Sequence, residues 1–116
     1  MATRILYHGT SVNNLNAIME QGIKQYFEGV YLTDSAESAA RWCGFKLAIK
    51  GENRVAVIEV EVDEDNLEPG CDHSPEMVRL FGVGESVLHN GDVTPDKIRE
   101  EFIYGIQSIN KTSTTE

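Results

Sequence analysis

The stretch "YHGTS" places the imidazole of His8 directly before Gly9. His8 closes an apolar and aromatic run that begins at Arg4. A strand ending in His-Gly offers a side-chain hydrogen-bonding group beside backbone that a ligand can approach closely, because glycine has no Cβ in the way. A structural histidine at a strand end has the same local sequence. A second pattern lies in "GVYLTDSAESAARWC", where Tyr31 falls in a strand-like run and Trp42 in the helix that follows. Two large aromatics at such a junction either fill a core or hold a flat ring between them, with offset stacking contributing ~0.5–1.5 kcal/mol beyond area burial.

Other chemistry is less well supported by spacing. His8, Cys71, His73 and His89 could be taken together as metal ligands, yet their spacing matches no paired-ligand motif, and no metal is expected. Cys43 sits among apolar helical residues, where a buried, inert thiol is the usual finding. With only two cysteines, Cys43 and Cys71, and no disulfide framework, reduced thiols are expected.

The chain of 116 residues suits one domain. Ten Lys and Arg stand against 19 Asp and Glu, a net charge of −9, so the long-range field repels a phosphate backbone and disfavours a nucleic-acid partner. No apolar run reaches the ~20 residues of a membrane span, and Met1 to Arg4 leads into a strand without a signal-peptide pattern. No membrane partner and a soluble, cytoplasmic protein are expected.

The elements that must position these residues follow from periodicity. Arg4 to His8 is predicted as a strand that stops at Gly9. A helix follows from about Ser11, with Leu15, Ile18 and Met19 on one face and Gly22 as its C-terminal cap. Gly29 to Thr33 is a second strand. Ser35 caps the next helix, with an apolar face of Ala39, Trp42, Phe45 or Lys46, and Ile49, ended by Gly51. Arg54 to Val62 alternates as a half-buried strand with Glu59 and Glu61 on its solvated side. Asp63 to Met77, rich in acids with Pro69, Gly70 and Pro75, reads as a long loop. Glu85 to Leu88 is a short strand before an Asn90-Gly91 turn, Ile98 to Ile106 a final strand, and residues 110–116 a frayed tail after a domain of residues 1–109.

Taken together, "LYHGTSVNNLNAIMEQGIKQ", "GVYLTDSAESAARWC" and "GESVLHNGDVTPDKI" resemble the catalytic domain of the ADP-ribosyltransferase superfamily, in its His-Tyr-Glu branch of diphtheria toxin and the poly(ADP-ribose) polymerases. The resemblance spans residues 4–106. It implies an α+β fold of two packed small β-sheets with flanking helices, and NAD+ as co-substrate. Residue by residue it makes His8 the holder of the adenosine ribose, gives Gly9 the nicotinamide carboxamide, and sets Tyr31 at the second triad position. Trp42 falls where polymerase-type members stack a further tyrosine, so that Tyr31 and Trp42 sandwich the nicotinamide. Thr10 belongs to the NAD+-binding set, and Ser38 lies one place from the carboxamide-binding serine. Glu85 is implied as the triad carboxylate, because cleaving the ribose–nicotinamide bond creates an oxocarbenium-like centre that needs a fixed negative partner. Glu76, Glu100 and Glu101 are poorer choices, one in the loop and two in a charge-rich run.

The segment before Glu85 is shorter than in large polymerases, and no helical regulatory domain precedes Arg4, so transfer of a single ADP-ribose is expected. The acidic charge favours a protein acceptor, and stand-alone members of this size suggest an anti-defence or toxin-like effector of a bacterium or phage. Two rivals share parts of the pattern. RNA 2′-phosphotransferases share "HGTS" and the "V-x-P-x-x-I" ending, but they use clustered arginines that Arg4, Arg41, Arg54, Arg79 and Arg99 do not form in sequence; a nucleic-acid ADP-ribosyltransferase is the related case. A non-catalytic module binding NAD+ or ADP-ribose is the other, and it has no need of Glu85.

Overall fold

The alternation of "RVAVIEVEVD" sends successive side chains to opposite faces of a strand, and both faces find cover. In the computed structural model, which describes residues 2–25, 30–69 and 86–105, this strand is β3, Arg54–Asp63. Val55 and Val57 pack into one apolar cluster, while Ile58, Val60 and Val62 pack into another on the opposite face. The first strand, β1 (Thr3–Ser11), lies antiparallel to β3 along its own full length, from Thr3↔Asp63 to Ser11↔Val55. It therefore does not stop at Gly9 as predicted; the Val55–Val57 end of β3 holds its last residues in the ladder.

A 3-10 turn at Val12–Asn14, with Ser11 accepting from Asn13 N–H, leads into the short helix α1, Leu15–Gln21. Ile18 is buried and Leu15 packs beside it, but Met19 is 40% exposed. Gly22 ends the helix at φ +84°, and a Cβ there would overlap the Val93 carbonyl oxygen. That close approach lets Ile23 and Val93 exchange two backbone hydrogen bonds of 2.8 Å.

The next strand, β2 (Val30–Thr33), puts Val30 and Leu32 into the same cluster as Leu6 and Ile58. Ser35 then caps helix α2 (Ala36–Ile49) by accepting from Ser38 N–H at 3.1 Å. The buried face of α2 differs from the predicted one. Ala39, Ala40, Gly44 and Leu47 are buried, with Cys43 beside them, whereas Phe45 is 40% and Ile49 73% exposed. The reason is proximity: a Cβ on Gly9 of β1 would lie 2.6 Å from Ala39 O and 2.7 Å from Cys43 Cβ. Only small residues permit that approach, and a face led by Trp42 and Phe45 would hold the helix off the sheet.

The first part of the predicted loop is regular structure instead. Glu64–Asn66 forms a 3-10 turn, and Leu67–Pro69 forms β4, paired with β5 (Ser86–His89) through Leu67↔His89, Glu68↔Leu88 and Pro69↔Val87. Leu67 packs on the core, and Pro69 is tolerated because β4 is the outermost described strand, where an N–H can be missing. The remainder of the predicted loop, residues 70–77, lies outside the described residues, as do residues 106–116. The last strand, β6 (Ile98–Gly105), pairs with β3 and adds Phe102 and Tyr104 to the α2 cluster.

The described strands form one antiparallel sheet in the order β4-β5-β2-β1-β3-β6, with two α-helices, so the class is α+β as expected. Two separate small sheets are not seen among them. The sheet nonetheless has a narrow join: β1 and β2 meet through a single backbone pair, Tyr7↔Thr33, while β1 and β3 are paired along their length. No helix among the described residues is long and apolar enough to cross a membrane.

Candidate functional site

The narrow join between β1 and β2 brings the first two candidate residues together. Continuing the Tyr7↔Thr33 register would set Gly9 against Tyr31, but the strands do not pair there. Instead the His8 side chain spans the gap, its Nδ1 lying 3.0 Å from the Tyr31 carbonyl oxygen. A carbonyl only accepts, so Nδ1 carries the proton and Nε2 of the neutral ring is left as an acceptor. Desolvation holds the half-buried His8 below its ordinary pKa; the Tyr31 carbonyl pulls the other way, and the charge of Lys46 adds to the lowering. At neutral pH the ring is therefore uncharged, suited to accept a hydrogen bond from a hydroxyl and unsuited to act as a cation.

Tyr31 alternates with the buried Val30 and Leu32, so its ring leaves the sheet on the opposite face, and it is 40% exposed. That is the face carrying α2, because Tyr7 packs in the α2 cluster and Gly9 meets Ala39 and Cys43. Trp42 lies on α2 at the margin of its buried side and is only half-buried. Neither aromatic is among the fully buried core residues.

Gly9 is explained first by packing, since its bare Cα lets α2 sit against β1. Thr10 is buried and accepts a hydrogen bond from Asn14 Nδ2 at 3.0 Å. Ser38 is buried in the first turn of α2, its hydroxyl 2.9 Å from that of Ser35. Both hydroxyls thus help hold the chain turns that flank β1 and α2. Glu85, Cys71, His73 and Glu76 lie outside the described residues. The strand beginning at Ser86 runs beside β2, with Thr33↔Ser86 and Tyr31↔Leu88 opposite one another.

Cys43 is free, and burial pushes its thiol up to about 11, with Glu52 adding to the rise and Lys46 and Lys50 opposing it. Such a thiol stays protonated and is a poor nucleophile. His89 is buried in β5 with its Nδ1 3.0 Å from Gly91 O, far in role from any ligand cluster. Among the described residues no group of three metal-ligating side chains is found.

The sequence offers one further residue near the site only as a possible member of the apolar face of α2, and it is exposed. Lys46, one turn after Trp42, extends its ammonium over the indole, 5.5 Å from the ring centroid. The i, i+4 spacing was the only available signal, and it depends on which face of α2 is buried.

No protein-family model matches this chain, and no curated protein is significantly similar to it. The functional reading therefore rests on the residues and their arrangement.

Proposed function

We propose that this protein is an NAD+-dependent mono-ADP-ribosyltransferase that cleaves the nicotinamide–ribose bond and passes ADP-ribose to a protein. The observation that carries the proposal is the join at which neutral His8, rooted on the Leu6–Ile58 face of β1, reaches the Tyr31 carbonyl across the gap between the strands, with the exposed Tyr31 ring on the α2 face and half-buried Trp42 on that helix. His8 Nε2 accepts a hydrogen bond from a ribose hydroxyl. Tyr31 and Trp42 take the flat nicotinamide between them.

In the reaction, nicotinamide departs with the electron pair of its bond to C1′, leaving an oxocarbenium-like ribose. Glu85, by its place in the resemblance, stabilises this positive centre and receives the proton of the acceptor nucleophile as the new bond to C1′ forms. The proton then passes to solvent. A net charge of −9 favours a protein acceptor with a basic face over RNA or DNA. An effector acting on a host or defence protein in the cytoplasm is consistent with that charge.

The test is to add NAD+ labelled on its adenylate to a bacterial lysate with the purified protein, with and without nuclease. Label on protein that survives nuclease, together with released nicotinamide, is the expected result. Label that disappears with nuclease would move the protein to the nucleic-acid or 2′-phosphotransferase-like readings. NAD+ binding without nicotinamide release would make it a binding module.

A further inference from the structure

We infer that Lys46 is the anion-binding residue of this site, taking a phosphate of the ligand whose ring stacks at Trp42, so that the site selects phosphate-bearing nicotinamide compounds over neutral-tailed ones. The inference rests on the functional reading above and deepens it. Its basis is the placement of one cation. Lys46 follows Cys43 by three residues and Trp42 by four, which sets it on the edge of α2 where the helix meets β1 at Gly9. Its ammonium stands 5.5 Å from the indole centroid, and its charge is felt at both His8 and Cys43.

Other cations with known partners are committed to acids. Arg41 is held by Glu37 at 3.0 Å, Arg99 by Glu59 and Glu61 at 3.2 and 3.0 Å, and Lys24 by Asp92 at 3.6 Å. Among the described residues no carboxylate is paired with Lys46, nor with Lys50, Arg54 or Lys97, and what sets Lys46 apart from these is its place over the Trp42 ring. An ammonium resting on a ring face is weakly held compared with one bonded to a phosphate oxygen, because the latter is a charge-assisted hydrogen bond. Lys46 is exposed and free to make that exchange without disturbing the core. A nicotinamide ring at Trp42 carries its phosphate through one ribose, which is within the reach of a lysine side chain rooted one helical turn away.

Trp42 is the only tryptophan, so its fluorescence reports ligand at this site alone. Titrations with nicotinamide riboside and nicotinamide mononucleotide differ only by the phosphate. The wild type is expected to bind the mononucleotide about 5- to 10-fold more tightly at low salt, with the preference shrinking as salt rises. Lys46→Ala should abolish the preference. Lys46→Arg should keep it, and Lys50→Ala, which removes an equal charge one turn further on, should not alter it. An undiminished preference in Lys46→Ala would overturn the inference and leave the functional reading standing. Absence of quenching by either compound and by NAD+ in the wild type would overturn both.

Discussion

His8 and Tyr31 are joined by a hydrogen bond of 3.0 Å from the imidazole Nδ1–H to a main-chain carbonyl, made beside the single backbone pair, Tyr7↔Thr33, that links the two halves of the sheet. A side chain thus replaces a rung of the ladder. The carbonyl fixes the tautomer of the ring. A site built on such a junction is pre-organised by the sheet, since neither residue depends on a loop for its position.

Replacing His8 with Gln should change how stability depends on pH. The folded-state pKa of His8 is lowered by desolvation, so below the ordinary value of about 6.5 the unfolded chain takes up a proton that the folded chain refuses. Stability contributed by the neutral ring is present above that pH and falls as the pH drops towards the lower folded value. Urea midpoints at pH 7.5 and 5.5 should fall more for the wild type than for His8→Gln. Equal falls would place the imidazole in solvent.

Tyr31→Ala and Trp42→Ala should weaken NAD+ binding while costing less than the ~3–5 kcal/mol of a truncated core aromatic, because both rings are partly exposed. Calorimetric titration of Tyr31→Ala and Trp42→Ala, with melting curves for each, separates the two effects. Loss of folding with unchanged affinity would return both residues to a structural role.

Glu85→Gln should retain ligand binding and lose turnover by ~10²–10³, as removal of a charge that acts mainly in the transition state does. Nicotinamide release measured at saturating NAD+ reads this directly. A wild-type rate would place the carboxylate elsewhere, with Glu76, Glu100 and Glu101 next to be substituted.

Gly9→Ala should destabilise the fold by about 1–3 kcal/mol, since its Cβ would stand 2.6 Å from a helix carbonyl and 2.7 Å from Cys43 Cβ. Gly105→Ala, with nothing within 4 Å of the added Cβ, is the control and should shift the urea midpoint little. If Gly9→Ala is as stable as the control, α2 can move outward without loss.

By itself the sequence determined what local chemistry and periodicity decide. The alternation of Arg54 to Val62 and of Ile98 to Tyr104 reads as strand, although β3 is covered on both faces and not half-buried, Ser35 is a helix cap by its hydroxyl, and Gly22 ends α1 because a left-handed φ of +84° favours glycine. His8 and Tyr31 were also visible as residue types at strand positions. Tertiary structure alone decided the rest. Which side of α2 faces inward depends on how closely the helix approaches Gly9, so Ala39 and Leu47 are buried and Trp42 is left at the edge, with Lys46 over its ring. That Leu67–Pro69 is a strand depends on β5 offering it an edge, a pairing of residues distant in the chain. The meeting of His8 with Tyr31 likewise needs β1 and β2 to part after one pair, and no local pattern encodes where two strands stop pairing, because each strand's hydrogen bonds are completed by its neighbours.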